Sequence, residues 1–474
     1  MTYDKLKLPT AIIATLLPLS GAIAENYDGQ DLTGRVIRVD SAAMTAPDWS
    51  FVGTNLTNAM ITSQNASTVT ITGVDFSGAN FTGTTFSNVE LGIGNNFSGS
   101  NLSYEQYHSF NNPTDINLSN MNLNGWNIGR GTVNTSQHHY TESYSNLNIA
   151  NSTINNATLY YNRSLSSSIF ENALTSTKSW QDKDLSGLRI YGSGTISNYD
   201  FTGFNLQNTS FYRAAMDPSY YAFTCNGFNF TSADLRGYSV SYQQLSSTFT
   251  TNMSNATHKN TIQARGNVYN LGLDRSGDLL HVREYRNKDG VAENLAAYLN
   301  SSYSGTYNVA GGAKILIEMG RLDLRASSGT FFNFIGSDSE KAMLEFRYDT
   351  AEYKDFVDQG IAMGIGVNGS SRLSFLSDYE IAVELTGAVD VGDNFLLIDG
   401  ETTGAITVAG AFTKGENITV KLNGNELNDD DWDIVFSNGD LSITMLTAVP
   451  EPAIYAALAG ALSLALAAAR RRKA

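Results

Sequence analysis

The chain has 474 residues, with 30 Lys and Arg against 46 Asp and Glu, a net charge of −16. So acidic a surface repels nucleic-acid phosphates and argues against DNA or RNA binding. A single cysteine, Cys225, excludes an intramolecular disulfide, and 11% aromatic against 16% charged residues, with abundant Asn, Thr, Ser and Gly, argues against disorder and for an all-β extracellular protein.

In chain order, Lys5 and Lys7 precede a mostly apolar stretch from Leu8 to Leu19, and Ala22-Ile23-Ala24 follows as a small-x-small cleavage site. This predicts a secretory signal peptide over residues 1–24. Residues 25–69 are taken as an N-terminal cap segment. Without the cations and carboxylates of signal and tail, the remaining balance is −20.

From about residue 70 to 255 apolar residues recur at every fifth position. Phe76, Phe81, Phe86 and Leu91 form one run. Phe97 and Leu102, then Leu118, Leu123 and Ile128, then Ile149, Ile154 and Leu159 continue it. Leu185 and Ile190, then Ile196, Phe201, Leu206 and Phe211, and finally Phe230, Leu235, Val240 and Leu245 complete the series. A period of five fits neither helix nor plain strand and indicates a solenoid. Each unit would form one side of a square coil, stacking at roughly 4.8 Å. Asp or Asn before the apolar residue, as at Asp75, Asn80, Asn101 and Asp234, suits hydrogen bonding at the corners. Glycines such as Gly78, Gly83 and Gly237 suit the turns.

Ala79-Asn80-Phe81-Thr82-Gly83 and Ala233-Asp234-Leu235-Arg236-Gly237 resemble the pentapeptide-repeat motif. The resemblance implies a right-handed quadrilateral β-helix. The position two before the central residue is small in that family but large here at Met121, Trp126, Tyr199, Phe204 and Phe228, which predicts overfilled coils and an irregular helix interrupted near 104–115, 130–145 and 213–227. Ser103-Tyr104-Glu105-Gln106 and Ser241-Tyr242-Gln243-Gln244 are similar to each other and to segments that punctuate such repeats in secreted proteins; they read as connectors, with a helical turn in each.

Residues 260–447 change to short alternating stretches, among them Lys314–Met319, Arg321–Leu324, Ala342–Phe346, Ile361–Val367, Arg372–Leu376, Ile381–Leu385, Phe395–Ile398, Ile418–Val420, Ile434–Phe436 and Leu441–Thr444. These predict a β-rich module, either a β-sandwich or a β-solenoid.

Residues 449–474 read Val449-Pro450-Glu451-Pro452, a largely apolar run from Ala453 to Ala469, then Arg470, Arg471, Arg472 and Lys473. The run would give roughly 25 Å of helix, enough for a short transmembrane span, with the cations held on the cytoplasmic side. These three parts in order resemble the PEP-CTERM sorting signal of Gram-negative bacteria that make exopolysaccharide. The resemblance implies recognition by the membrane transpeptidase exosortase, a cut near Pro450-Glu451-Pro452, and delivery to the cell envelope, surface or extracellular matrix.

Catalytic signatures are missing from the sequence: no G-x-S-x-G, H-E-x-x-H, Walker loop or zinc cysteine pair. Cys225 has no sequence-level partner. His138 and His139 with Tyr140 and Glu142 form the densest polar cluster, but adjacent strand residues point to opposite faces, so a solvated loop is favoured over a metal site. Asn428 to Asp433 is oxygen-rich like a calcium loop but lacks its ligand spacing. Tyr160-Tyr161 and Tyr220-Tyr221 raise the prospect of sugar stacking. The expectation is a non-enzymatic exported surface or matrix protein without cofactor or metal, partnered by exosortase and exopolysaccharide. The alternatives are a β-helix polysaccharide lyase or hydrolase, or a carbohydrate-binding module; DNA mimicry is disfavoured by secretion.

Overall fold

Parallel stacking turns the period of five into a fold. The computed structural model describes residues 26–449 apart from internal stretches, chiefly 40–48, 109–115, 129–132, 135–138, 141–151, 161–183, 214–223 and 241–252, with shorter gaps elsewhere. The signal peptide, Pro450 to Ala474 and the second connector core, Ser241 to Gln244, lie outside the described residues. The described residues fall into two compact units. One holds those up to Tyr199 with Ser210–Thr224 and Val240–Ser246; the other holds Asp200–Thr209, Cys225–Ser239 and the chain from Ser247 onward.

In the first unit the opening coils stack through four parallel ladders. Asn26, Ser50, Asp75, Asn96 and Asn117 bridge in series, as do Asp31, Asn55 and Asn80. Val36–Val39 pairs with Met60–Ser63 and that with Thr85–Ser87, while Val69–Ile71 pairs with Val89–Leu91. The repeats thus begin before residue 70, inside the segment assigned to a cap. Phe76, Phe81, Leu91, Phe97 and Leu102 are buried, and Phe86 is half-buried. The rings of Tyr27, Phe51, Phe76 and Phe97 stack one coil on the next at 5.0, 5.1 and 5.0 Å. Further along, Ile128, Leu159, Ile190 and Phe211 stand in register, as the spacing predicts.

The corners explain the Asn and Asp before each apolar residue. Asn55 Nδ2 donates to Asp31 Oδ1 at 3.1 Å, Asn80 to Asn55 at 3.3 Å, and Asn101 to Asn80 at 2.8 Å. Each amide donates to the coil before it, so the series needs a terminal acceptor, and the Asp31 carboxylate supplies one. Hydrogen bonds from Thr33 hold that carboxyl below its usual range. At a neighbouring corner Gly29, Gly53, Gly78, Gly99 and finally Asn120 adopt φ of 57–67°, a left-handed turn open to glycine and asparagine.

The bulky residues expected to overfill the coil are accommodated: Met121, Trp126 and Phe204 are all buried. Beside Trp126 the helix Tyr104–His108 brings Tyr107 within 5.2 Å ring to ring. That helix starts in a capping box. Ser103 N donates to Gln106 Oε1 at 2.8 Å, and Gln106 N to Ser103 Oγ at 3.2 Å. The side chain of Gln106 also donates to Phe81 O and Thr84 O in the coil beside it. The connector is a helical turn, as its sequence predicts. Tyr199 and Phe228 lie outside the described residues, as does most of 130–145 and 213–227.

In the second unit the corner series Asn205, Asp234 and Ile262 and the rings of Phe201, Phe230 and His258 continue the coil-on-coil stacking. Three parallel ladders follow. The first stacks Leu279–Arg283, Lys314–Glu318, Ala342–Asp349, Tyr379–Thr386 and Ile418–Leu422. The second stacks Ala297–Leu299, Arg321–Leu324, Gly364–Val367 and Asn394–Gly400. The third stacks Gly305–Ala310, Thr330–Ile335, Arg372–Ser377 and Ile406–Val408. This is the pairing of a solenoid, and it decides against a sandwich, whose neighbouring strands run antiparallel. Antiparallel strands appear at the far end, where Trp432–Ser437 and Asp440–Met445 form a hairpin against Asn394–Gly400. The helix Thr350–Asp358 interrupts one coil, capped by Asp349 and buried through Tyr353 and Phe356. Among the described residues no helix is long and apolar enough to cross a membrane; the span 453–469 lies outside them.

On the outer face of the first ladder Arg283, Glu318, Arg347, Glu384 and Lys421 occupy one row on five successive strands. Charge alternates at every step, with Arg283 Nε 3.8 Å from Glu318 and Arg347 Nε 3.6 Å from Glu384. A coil placed out of order would set like charges together. Arg347→Glu places three carboxylates in sequence and is expected to destabilise by about 1–2 kcal/mol. Thermal denaturation should show that loss, and the added Glu384→Arg change should recover part of it.

Candidate functional site

The most deeply buried ionic group is Asp234 with Arg236, from the second repeat match. Both side chains are at most 1% exposed. Arg236 Nε and Nη2 reach the carboxylate at 3.0 and 2.6 Å. Its remaining donors meet the carbonyls of Arg283, Glu284 and Leu295. Gln207 Nε2 donates to Asp234 Oδ2 at 2.9 Å. Burial alone would push the Asp234 carboxyl up; the guanidinium of Arg236, with Arg283 further off, carries it below its ordinary value. All three nitrogens of this guanidinium bond inside the protein, so the pair is a structural clasp between the repeat coil and the strands that follow.

A shallow cleft opens beside the clasp, lined among others by Glu284, Tyr285, Asn294, Arg321 and Phe356. Arg236, Glu284 and Arg321 in its lining are ion-paired, and Glu293 accepts from Asn287 Nδ2 at 2.7 Å. Arg286 binds both Glu284 and Glu352. Arg321 spans from Asp323, at 2.9 Å, to Asp399, at 2.7 Å. Asp323, Gly366 and Asp399 stand in one row, and a Cβ on Gly366 would lie 2.3 Å from the Arg321 guanidinium. The glycine makes room for the bridge. Two carboxylates joined through an arginine are not poised as the acid and base of a glycosidase.

Asn428 to Asp433 forms a turn in which Asp431 accepts from Asn428 and Thr447. Lys414 Nζ enters it, donating to Asp429 O at 2.8 Å and to Trp432 O, with Asp433 Oδ1 at 3.3 Å. The ammonium also lies 5.1 Å from the centre of the Trp432 ring. A lysine thus occupies two carbonyls and one carboxylate oxygen of this oxygen-rich turn. Among the described residues no group of three or more His, Cys, Asp or Glu could hold a metal ion.

On the ionic face, Glu318 Oε2 lies 2.7 Å from His281 Nε2. Burial pushes the imidazole below its ordinary value against the opposing pull of Glu318. Hydrogen bonding from His281 holds Glu318 low despite burial.

Pro450, Glu451, Pro452, Arg470, Arg471, Arg472, Lys473, Ala22 and Ala24 lie outside the described residues, as do His138, Glu142, Tyr161, Tyr220 and Tyr221. His139–Tyr140 pairs antiparallel with Val133–Asn134. Cys225 stands opposite Met253 in a parallel pair. Sequence reasoning missed the clasp, although it quoted both residues as motif positions, because the carbonyls that receive Arg236 lie 47–59 residues away. The approach of Lys414 carried no signal in the sequence.

Stacked coils with inward apolar rows and outward amide ladders define a repeat protein of the β-solenoid class. Residues 50–88 and 65–104 match the family model of the pentapeptide repeats, in eight copies. The segment from 50 to 104 is therefore built of pentapeptide repeats. No curated protein and no solved structure matches the chain.

Arg236→Met strands a buried carboxylate and should cost about 3–5 kcal/mol in chemical denaturation, with much of it recovered by adding Asp234→Asn. Calcium should leave the melting temperature of the wild type unchanged, and Lys414→Ala should lower stability by about 1–3 kcal/mol. Acid should act in two stages. His281 has a depressed folded pKa, so its contribution is complete above the ordinary histidine value of about 6.5 and lost as pH falls below it. Asp234 and Glu318, also depressed, contribute above the ordinary carboxylate range and lose that contribution as pH falls below it. Melting temperature measured against pH should show both stages, and His281→Gln should diminish the upper one, to which His258, also held low by burial, contributes as well.

Proposed function

We propose that this is a non-enzymatic exported protein of the Gram-negative cell surface or extracellular matrix. In this reading exosortase processes it at the Pro450-Glu451-Pro452 tail, and it associates with exopolysaccharide. Its first unit is read as a right-handed quadrilateral β-helix, a reading supported by the four parallel ladders of its opening coils. The observation that carries the reading is the tail itself: Pro450-Glu451-Pro452, a span at 453–469 and Arg470 to Lys473, in that order. A signal-like N-terminus with Ala22 and Ala24 agrees with it. In this reading the span is a temporary tether and the solenoid is the displayed part. The satisfied clasp and the arginine-bridged carboxylates support a structural role over the alternative of a polysaccharide lyase or hydrolase.

The test is fractionation of the producing cell. The intact chain should appear at the surface or in the matrix, shortened from its C-terminus. Removal of 450–474 should abolish surface retention and shortening. An intact chain free in the cytosol would overturn the proposal, and sugar release from a polysaccharide panel would favour the enzymatic alternative.

A further inference from the structure

We infer that the outer face of the third ladder in the second unit is a binding surface for a neutral polysaccharide chain. The four strands of this ladder, Gly305–Ala310, Thr330–Ile335, Arg372–Ser377 and Ile406–Val408, contain no Asp or Glu, in a chain that has 46. The other two ladders differ. The outer face of the first is laid with paired charges, and that of the second carries the Arg321 bridge between Asp323 and Asp399.

What the third face presents instead is a row of short neutral polar side chains. Asn308, Asn333, Ser374 and Thr407 stand in register on successive strands, one per coil. Asn333 Nδ2 reaches Asn308 Oδ1 at 3.4 Å. Each amide has more donors and acceptors than one such contact engages. Two residues from this row, on the same face, Phe331 is 37% exposed, and on the other side a register shift after Phe334 turns out Leu376, 41% exposed. The face holds one charge, Arg372, which donates to Ser371 O at 2.8 Å.

An aromatic ring beside a row of amides and hydroxyls is the chemistry that meets a sugar ring, whose C–H face stacks and whose hydroxyls exchange hydrogen bonds. The rows repeat at the strand spacing, so a linear polymer can cross several coils. The backing is rigid: Phe332, Phe334, Leu373 and Phe375 are fully buried beneath it, with Phe334 and Phe375 stacked at 4.7 Å. A face without carboxylates suits an uncharged polymer on an otherwise anionic protein. The inference gives the exopolysaccharide partner of the proposed function a chemical class and a place. It takes its biological sense from that reading, while binding is measured without it.

The experiment is native affinity electrophoresis of the purified full-length protein in gels containing dextran, galactomannan, a soluble β-glucan, or alginate as the acidic comparison. At least one neutral polymer should retard the protein equally at low and high salt. Phe331→Ala and Thr407→Arg should each weaken retardation about tenfold without moving the melting temperature. Phe436→Ala, which removes an aromatic 48% exposed on another strand, should leave it unchanged. The inference is overturned by no retardation in any neutral gel, by retardation that both face variants keep, or by salt-sensitive retardation in alginate alone. Cell fractionation decides the export reading separately, so either can fail while the other holds.

Discussion

Parallel stacking of one coil on the next is the constraint on which everything else depends. Each inward side chain meets its equivalent in the neighbouring coil, so Tyr27, Phe51, Phe76 and Phe97 form one column of rings. Asn55, Asn80, Asn96, Asn101 and Asn117 each donate to the Asn or Asp of the coil before. Long-range order is thereby built from repeated nearest-neighbour contacts, as expected for a quasi-one-dimensional fold. The open end is managed by an antiparallel hairpin, Trp432–Ser437 with Asp440–Met445, which covers the last coil.

The polar residues divide into two kinds of work. Some specify register: the amide ladder from Asp31 to Asn101, and the alternating row from Arg283 to Lys421. Others fill places where a cation or catalyst would have been sought. Lys414 meets two carbonyls and a carboxylate of the acidic turn, Arg321 bridges Asp323 and Asp399, and Arg236 bonds Asp234 and three carbonyls. The row Asn308, Asn333, Ser374 and Thr407 carries no charge, and the proposed polymer is set against it.

The repeat segment was largely legible. The spacing of Phe76, Phe81, Leu91 and Phe97 named the inward row, and Asp75 and Asn80 named the corners. Reading Met121, Trp126 and Phe204 as overfilling residues went astray because local spacing carries no volume. A neighbouring helix, Tyr104–His108, makes a place for Trp126 that the pentapeptide pattern does not contain. Most strands of the second unit are also marked by alternation, though Leu279–Arg283, Ala297–Leu299, Gly305–Ala310, Thr330–Ile335 and Ile406–Val408 are not among the stretches read from the sequence. Their partners lie one whole coil away.

By itself the sequence determined that the fold is nearly all β, that the segment around 50–104 is a solenoid of period five, and which of its residues face inward. These follow from periodicity and turn chemistry, which act over a few residues. Only the tertiary structure decided that the second half is also a parallel solenoid. Alternation is the same in a sandwich, and the difference lies in whether the neighbouring strand runs parallel. Only the tertiary structure brought Arg236 to the carbonyls of Arg283 and Leu295, and Lys414 into the acidic turn. Those contacts join residues far apart in the chain, and no local pattern encodes them.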